Sequence, residues 1–404
     1  MISVDDALRY VLAHAHARST TVVPLADACG SVLAENVTSD VDSPPHDKSL
    51  VDGYAVRVDD LKSLPMLLTI LEEVTAGLVP QCEVTPGTAT CLMTGAPVPR
   101  GADAVVMLES TTRIDRSKVR IDQADLVKGG HILRQATSLS RGNRVLQRGT
   151  LLRPIEIGIL AEVGRTEVEV QSLPRVAIVA TGNELVAPDE IPQPGQIRNS
   201  NAPMLCALAR AAGATSVDLG IGRDDKADLR SRVLQGLDHD LLVLSGGVSA
   251  GVLDLVPGVL RDCGVREVFH KVNLKPGKPL WFGVVPSVDQ PEKLVFGLPG
   301  NPVSSLVCFE LFVRPAIQVI SGKNHPGELC LQSAKLAVDQ HHRGQRQTFM
   351  PARVVSGETG QEVEPLAWHG SADLAGLSAA NCLIVFPAGD ASYLAGDPVE
   401  ILLL

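Results

Sequence analysis

The sequence predicts a multidomain α/β protein built around a mostly parallel sheet with helices on both faces. Three observations predict it. Between residues 176 and 320, apolar strand candidates alternate regularly with helix candidates, and parallel strands need a crossover, usually a helix, between them. On either side of that stretch, at 51–142 and from about 328 onward, the pattern changes to short strands divided by turn residues. The chain has 404 residues, whereas a single hydrophobic core stops growing at roughly 250–300.

Residues 3–17 read as an amphipathic helix, with Ser3 and Asp6 spaced as a capping box. The proline-punctuated segment 41–50 marks a first boundary. Strands at 53–58, 67–74, 104–108 and 119–121 then make a β-rich domain, 38–142. Residues 151–163 read as helical again. Short helices are marginal without a partner, so 1–37 and 143–173 are expected to join as one discontinuous helical domain. In the α/β domain, 174–323, strands are expected at 176–180, 216–219, 241–244, 266–269, 280–285 and 294–297. Its helices are expected at 203–212, 225–237, 254–262 and 303–320. Turn residues at 322–327 end that domain, and 324–404 reads as a small β-barrel.

Composition excludes some functions. Asp and Glu number 46 against 36 Lys and Arg, for a net charge of −10, and aromatic residues are 3% of the chain. Nucleic-acid binding would want a basic face and rings for bases to stack on, so no nucleic-acid partner is expected. The same scarcity of rings predicts aliphatic cores. The eight cysteines (29, 82, 91, 206, 263, 308, 330, 382) show no C-x-x-C pair, and free thiols in a reducing cytoplasm explain them better than disulfides. The start, Met-Ile-Ser-Val-Asp-Asp, lacks a signal-peptide pattern, and the apolar run 306–320 is broken by Glu310, Arg314 and Pro315. A soluble cytoplasmic protein with no membrane partner is expected.

Two loops carry the most chemistry: 245–251, Ser-Gly-Gly-Val-Ser-Ala-Gly, and 298–304, Leu-Pro-Gly-Asn-Pro-Val-Ser. Each follows an apolar strand and leads towards a helix, leaving backbone N–H groups unpaired for an anion. Candidate binding residues are Ser245, Gly246, Gly247, Ser249, Pro299, Gly300, Asn301 and Pro302. The loop 181–184 lies at the same edge, beyond the carboxyl ends of parallel strands, where such sheets bind ligands. Lys271, Lys275 and Lys278 add three cations between the loops, and lysine serves phosphate as a point charge. A phosphorylated, anionic ligand follows.

The acids read in two ways. Glu184 at a strand's end either holds a metal or orients a ligand, or it caps a surface helix. Asp224 and Asp225 hold a cation or simply start the next helix. Asp254 opens the helix after the glycine loop, and capping and magnesium binding are compatible there. Asp47 and Asp52 either share a hard cation such as magnesium or shape a turn around Gly53. No Ser/His/Asp nucleophile is arguable.

In this order the motifs resemble the molybdopterin molybdenumtransferase family, the bacterial MoeA proteins and the E domain of gephyrin. The carriers span the chain: Asp47-x-Ser-x-x-Asp52-Gly-Tyr-Ala-Val56, Met93-Thr-Gly-Ala-Pro97, Gly101-Ala-Asp-Ala-Val-Val106 and Thr181-Gly-Asn-Glu-Leu185. They continue with Gly195-Gln-Ile-Arg-Asn-Ser-Asn201, Ser245-Gly-Gly-Val-Ser249 with Asp254, Lys275-Pro-Gly-Lys-Pro279, Leu298-Pro-Gly-Asn-Pro302 and Gly370-Ser371. The resemblance implies an adenylyltransferase-like α/β domain within four domains. It also implies a magnesium-dependent reaction of adenylylated molybdopterin with molybdate, giving molybdenum cofactor and AMP. It places functional groups at Asp52, Thr94, Glu184, Asp224, Asp254, Lys271, Lys275, Arg346 and Ser371; Lys278 joins them as a candidate catalytic cation, and Glu184, Asp224 and Asp254 are the candidate metal ligands. It implies a homodimer with a shared cleft, and molybdopterin adenylyltransferase and apo-molybdoenzymes as further partners. Ser138 stands where many members carry an acid, Lys48 and Val51 replace the usual neighbours of Asp47 and Asp52, and Asn199 stands where Asp is common. The rival readings are a molybdopterin adenylyltransferase, which would need only the α/β domain, and a non-catalytic scaffold that binds molybdopterin or anchors peptides. A pattern running the length of the chain disfavours the first, and a single E-like chain without a fused adenylyltransferase or linker gives the second little support.

Overall fold

The computed structural model describes residues 1–248, 255–287, 289–323, 328–357 and 360–404. The chain divides into two compact units, one of Met1–Ala34, Gly149–Arg153 and Glu167–Leu404, the other of Glu35–Arg148 and Pro154–Thr166.

At the centre of the first unit is a six-stranded sheet. Its order is Thr215–Gly222, Arg175–Thr181, Leu241–Ser245, Lys293–Leu298, Trp281–Val285, Arg266–His270. The first four run parallel and the last two are antiparallel, so the mostly parallel α/β domain is as expected. Its inner strands are continuous apolar runs because both faces are covered; Leu241–Ser245 is buried at every position. The register decides where the loops emerge. Ala180 pairs with Ser245 and Ser245 with Leu298, so three strands end level and their loops leave at one edge.

The helix Val4–His14 is capped by Ser3, whose hydroxyl accepts from the Asp6 N–H at 3.0 Å. Its buried face, Val4, Ala7, Leu8 and Val11, packs in the core of this sheet. It therefore does not form a joint helical domain with Pro154–Glu162, which belongs to the other unit. The sheet offers a far larger apolar surface than another short helix would. The two distant segments do meet in a different way, as an antiparallel ribbon of Thr20–Pro24 with Glu167–Gln171.

The helical stretch Pro302–Ile320 is apolar and long enough to cross a membrane, but 78% of it is buried inside the fold. Its one buried acid, Glu310, is held by both nitrogens of the Arg314 guanidinium fork. Six of the seven phenylalanines, 269, 282, 296, 309, 312 and 349, lie in this core. The expectation of aliphatic cores holds here in the main, since most of these buried residues are Val, Leu, Ile and Ala, although the few rings are concentrated rather than spread. It holds better for the β-rich unit, where Tyr54 is the one ring in a core otherwise of Val, Leu, Ile, Ala and Cys.

In the C-terminal region, Gln347–Gly357, Gly360–Pro365, Gln332–Leu336, Pro398–Leu403 and Cys382–Phe386 pair in that order. Gln347–Gly357 also pairs with Cys382–Phe386, closing a five-stranded barrel. The short strand Leu274–Lys275 adds to Gln347–Gly357, with Lys275 opposite Thr348. A lysine from the α/β domain is thus fixed to the barrel wall by backbone hydrogen bonds.

The second unit carries a six-stranded sheet ordered Ala104–Met107, Gly53–Val56, Thr88–Leu92, Met66–Val74, Lys118–Ile121, Thr111–Arg113. Its inner strand Thr88–Leu92 was not expected. Four of its five residues are buried, so it lacks the alternation that marks a half-exposed strand.

Candidate functional site

At the loop edge of the parallel sheet is a cavity of about 380 Å³, lined by Gly182, Glu184, Asp224, Gly246, Gly247 and Pro299 among others. Its floor is two glycines in left-handed backbone, Gly246 at φ +99° and Gly247 at φ +64°. A side chain at Gly246 would put its Cβ 2.5 Å from the Thr181 carbonyl oxygen. Only glycine allows the loop to lie against the end of the neighbouring strand.

Asn201 ties the loops together. Its amide nitrogen donates to Ser245 Oγ and to the Gly300 carbonyl, both at 2.7 Å, while its Oδ1 is buried without a partner among the described residues. Ser245 itself is 2% exposed, so its hydroxyl serves the loop clamp rather than facing the larger cavity. Asn201 was legible only as part of a motif; nothing in its neighbours announces a clamp.

The acids separate. Asp225 caps the helix Lys226–Gly236, accepting from the N–H groups of Ala227 and Asp228 at 3.0 and 2.9 Å. That leaves the Asp224 side chain to line the cavity with Glu184, while its backbone N–H is held by Asn183 Oδ1 at 3.1 Å. Two carboxylates on a phosphate-sized cavity fit a hard cation that completes its shell with water and substrate oxygens. Among the described residues no group of three His, Cys, Asp or Glu converges to hold a metal. Ser249 and Asp254 lie outside the described residues.

A second cavity, of about 510 Å³, shares Pro279, Pro299 and Asn301 with the first. Its walls include Lys275, Lys278, Arg346 and Ser371. Three cations there make an oxyanion seat. Asn301 opens the helix Pro302–Cys308 but makes no side-chain cap. Its amide instead donates to Ser371 Oγ at 2.8 Å, and the Val303 N–H donates to the Ser371 carbonyl at 3.1 Å. Arg346 donates to the Leu274 carbonyl at 3.2 Å, which places its guanidinium beside the lysine strand. Lys271 lines neither cavity; it sits at φ +72° with its N–H bonded to the Leu280 carbonyl. Pro302 lines a smaller cavity together with Asn201.

In the β-rich unit, pairing of Gly53 with Leu92 brings together Asp52 and Thr94, which are 42 apart in sequence. Asp52 Oδ1 accepts from the Thr94 N–H at 2.6 Å and from its hydroxyl at 2.7 Å, and these bonds lower the carboxyl's pKa. Asp47 and Asp52 have separate hydrogen-bond partners. Asp47 accepts from the Gln135 N–H and pairs with Arg134, which together outweigh the effect of partial burial and keep its pKa low. Since Asp52 is depressed when folded, its stabilising contribution is present above the unfolded value and disappears as pH falls through the folded pKa, below 3.8. Carbon-detected NMR of the carboxyl group should place its titration below 3.8, and Thr94→Val should return it towards that value. A midpoint unmoved by Thr94→Val, which removes the hydroxyl bond and keeps the N–H bond, would show that the hydroxyl does not govern Asp52.

Comparison with known proteins agrees with this architecture. Residues 2–164 match the family described as "MoeA N-terminal region (domain I and II)", 177–319 match "Probable molybdopterin binding domain", and 333–404 match "MoeA C-terminal region (domain IV)". The chain is 34% identical to the molybdopterin molybdenumtransferase of Bacillus subtilis over 100% of its length and 94% of that protein. To the corresponding protein of Nostoc it is 35% identical, over 96% of this chain and 89% of the other. The crystal structure of a molybdopterin biosynthesis MoeA protein from Pyrococcus horikoshii superposes with a TM-score of 0.84 at 30% identity, covering 100% of both chains. With its terminal regions matched in order and its strand-end cavity inside the matched central domain, the chain belongs to the MoeA family of molybdopterin molybdenumtransferases.

Proposed function

We propose that this chain inserts molybdate into adenylylated molybdopterin, with cleavage of the pyrophosphate bond and release of AMP. The observation that carries the reading is two abutting cavities of different character, an acid-and-glycine one and a lysine-and-arginine one, joined through Pro279, Pro299 and Asn301. The first suits a phosphate with its cation, the second an oxyanion. The Gly246 N–H is taken by the Leu298 carbonyl at 3.0 Å, so in this reading a phosphate oxygen is received at the Gly247 end of the loop. Glu184 and Asp224 would hold magnesium, which when bound draws charge from the pyrophosphate oxygens. Lys275, Lys278 and Arg346 neutralise molybdate and set it beside the dithiolene, with Ser371 held in place by Asn301. The protein's contribution is positioning and charge compensation.

Active dimers would share the cleft, one protomer supplying the α/β and barrel walls and its partner the Asp52–Thr94 corner. Support for this is that Asp52 is exposed yet rigidly held, with both bonds on one oxygen. The test is AMP release from adenylylated molybdopterin by the purified chain with magnesium, before and after molybdate is added. Molybdate-triggered release is expected. Tight binding of the adenylylated pterin with no release in any condition would overturn the enzymatic reading in favour of a binding role.

A further inference from the structure

Beyond the oxyanion cavity lies a third, of about 500 Å³, walled by Lys275, His341, His342, Arg343, Met350 and Trp368 among others. Lys275 and Trp368 line both the second cavity and the third, whereas the glycine-loop cavity shares no wall residue with the third. The oxyanion cavity therefore borders both of the others and stands between them. The barrel residue His342 is 6% exposed and stacked on Phe386 at 5.3 Å, and its Nε2 is buried with no hydrogen-bond partner among the described residues. Burial, and then the nearby charge of Lys275, lowers its pKa from 6.5, so at pH 7 the imidazole is neutral. A buried ring nitrogen without a partner is costly and calls for an explanation. Trp368 is only part-buried, which leaves indole surface for stacking, and Arg343 is exposed.

We propose that this third cavity seats the pterin ring of the substrate, with Trp368 as its stacking face, Arg343 as its polar contact and the neutral His342 in its wall. The assignment rests on the function proposed above and follows from the order of groups in that substrate. Along adenylylated molybdopterin come nucleotide, pyrophosphate, the dithiolene-bearing carbons, and then the pterin. With the pyrophosphate at Gly246–Gly247 and the dithiolene beside molybdate in the middle cavity, the pterin must continue past Lys275 and Trp368. A pterin is planar and carries an amide-like edge with donors and acceptors, so a ring face and neutral hydrogen-bonding groups suit it better than cations alone.

The test is fluorescence titration of 6-hydroxymethylpterin, which lacks phosphate and nucleotide, into the full chain, alongside the AMP-release assay on the same preparations. Trp368→Ala and Arg343→Ala, each checked for folding by circular dichroism, should weaken pterin binding, the first by about fivefold or more. Affinity for AMP should be unchanged in both. Equal pterin affinity in the wild type and both variants, or no pterin binding by the wild type, overturns the assignment while molybdate-triggered AMP release leaves the function standing. Pterin binding that is lost in Trp368→Ala, in a chain that never releases AMP, supports the cavity and removes the enzymatic reading instead.

Discussion

Lys275→Ala should lower molybdate-triggered AMP release by about 10²- to 10³-fold while leaving the fold intact. The side chain is exposed, and among the described residues no carboxylate pairs with it, so its charge is available to a ligand. Its position is set by the backbone: the strand Leu274–Lys275 is bonded to Gln347–Gly357, and that pairing survives removal of the side chain. The loss should therefore appear in the rate and not in thermal unfolding. An unchanged rate would remove Lys275 from the mechanism. The same variant tests the shared cleft. Mixed with Asp52→Asn under conditions that exchange subunits, two inactive chains should recover about a quarter of the wild-type rate, since half the dimers are mixed and each has one intact site. No recovery after verified exchange would place both residues in one protomer's site.

Phe296→Ala should destabilise the α/β core by about 3–5 kcal/mol, the range for a large buried ring cut to a methyl. Phe296 is fully buried on the strand Lys293–Leu298, its ring 5.0 Å from Phe282, which is itself 5.4 Å from Phe269. The three rings pack together in tilted contacts worth more than area alone. The strand ends two residues later in the loop of Pro299, Gly300 and Asn301, so activity should also become more temperature-sensitive. Urea unfolding followed by tryptophan fluorescence reports the change, because Trp281 is buried in the adjacent strand. A loss under about 1 kcal/mol would mean that the neighbouring rings close the gap.

What could be read from the residues was whatever is local. Apolar runs marked the inner strands of the central sheet, Arg175–Thr181, Leu241–Ser245, Lys293–Leu298 and Trp281–Val285, because a doubly covered strand must be apolar along its length. The glycine pair 246–247 and the lysines at 275 and 278 read as an anion site, since glycine lets a backbone approach a ligand closely and lysine supplies point charge. The inner strand Thr88–Leu92 was missed because it is buried without alternation.

Choices between equivalent residues needed the tertiary structure. Asp224 and Asp225 are chemically the same and adjacent, yet one caps a helix and the other lines the cavity; where the helix Lys226–Gly236 begins decides which. Lys271 parts from Lys275 and Lys278 because only the latter two stand on the cavity wall. Asn201 clamps two loops that lie 44 and 99 residues away, and His342 reaches the neighbourhood of Lys275 only once the barrel has closed. The sequence by itself determined most of the elements and the residue chemistry at the sheet edge, because backbone periodicity and residue type act within a few residues. Only the tertiary structure decided which copy of each group faces the cavities, because that depends on strand register and chain closure over distances no local pattern spans.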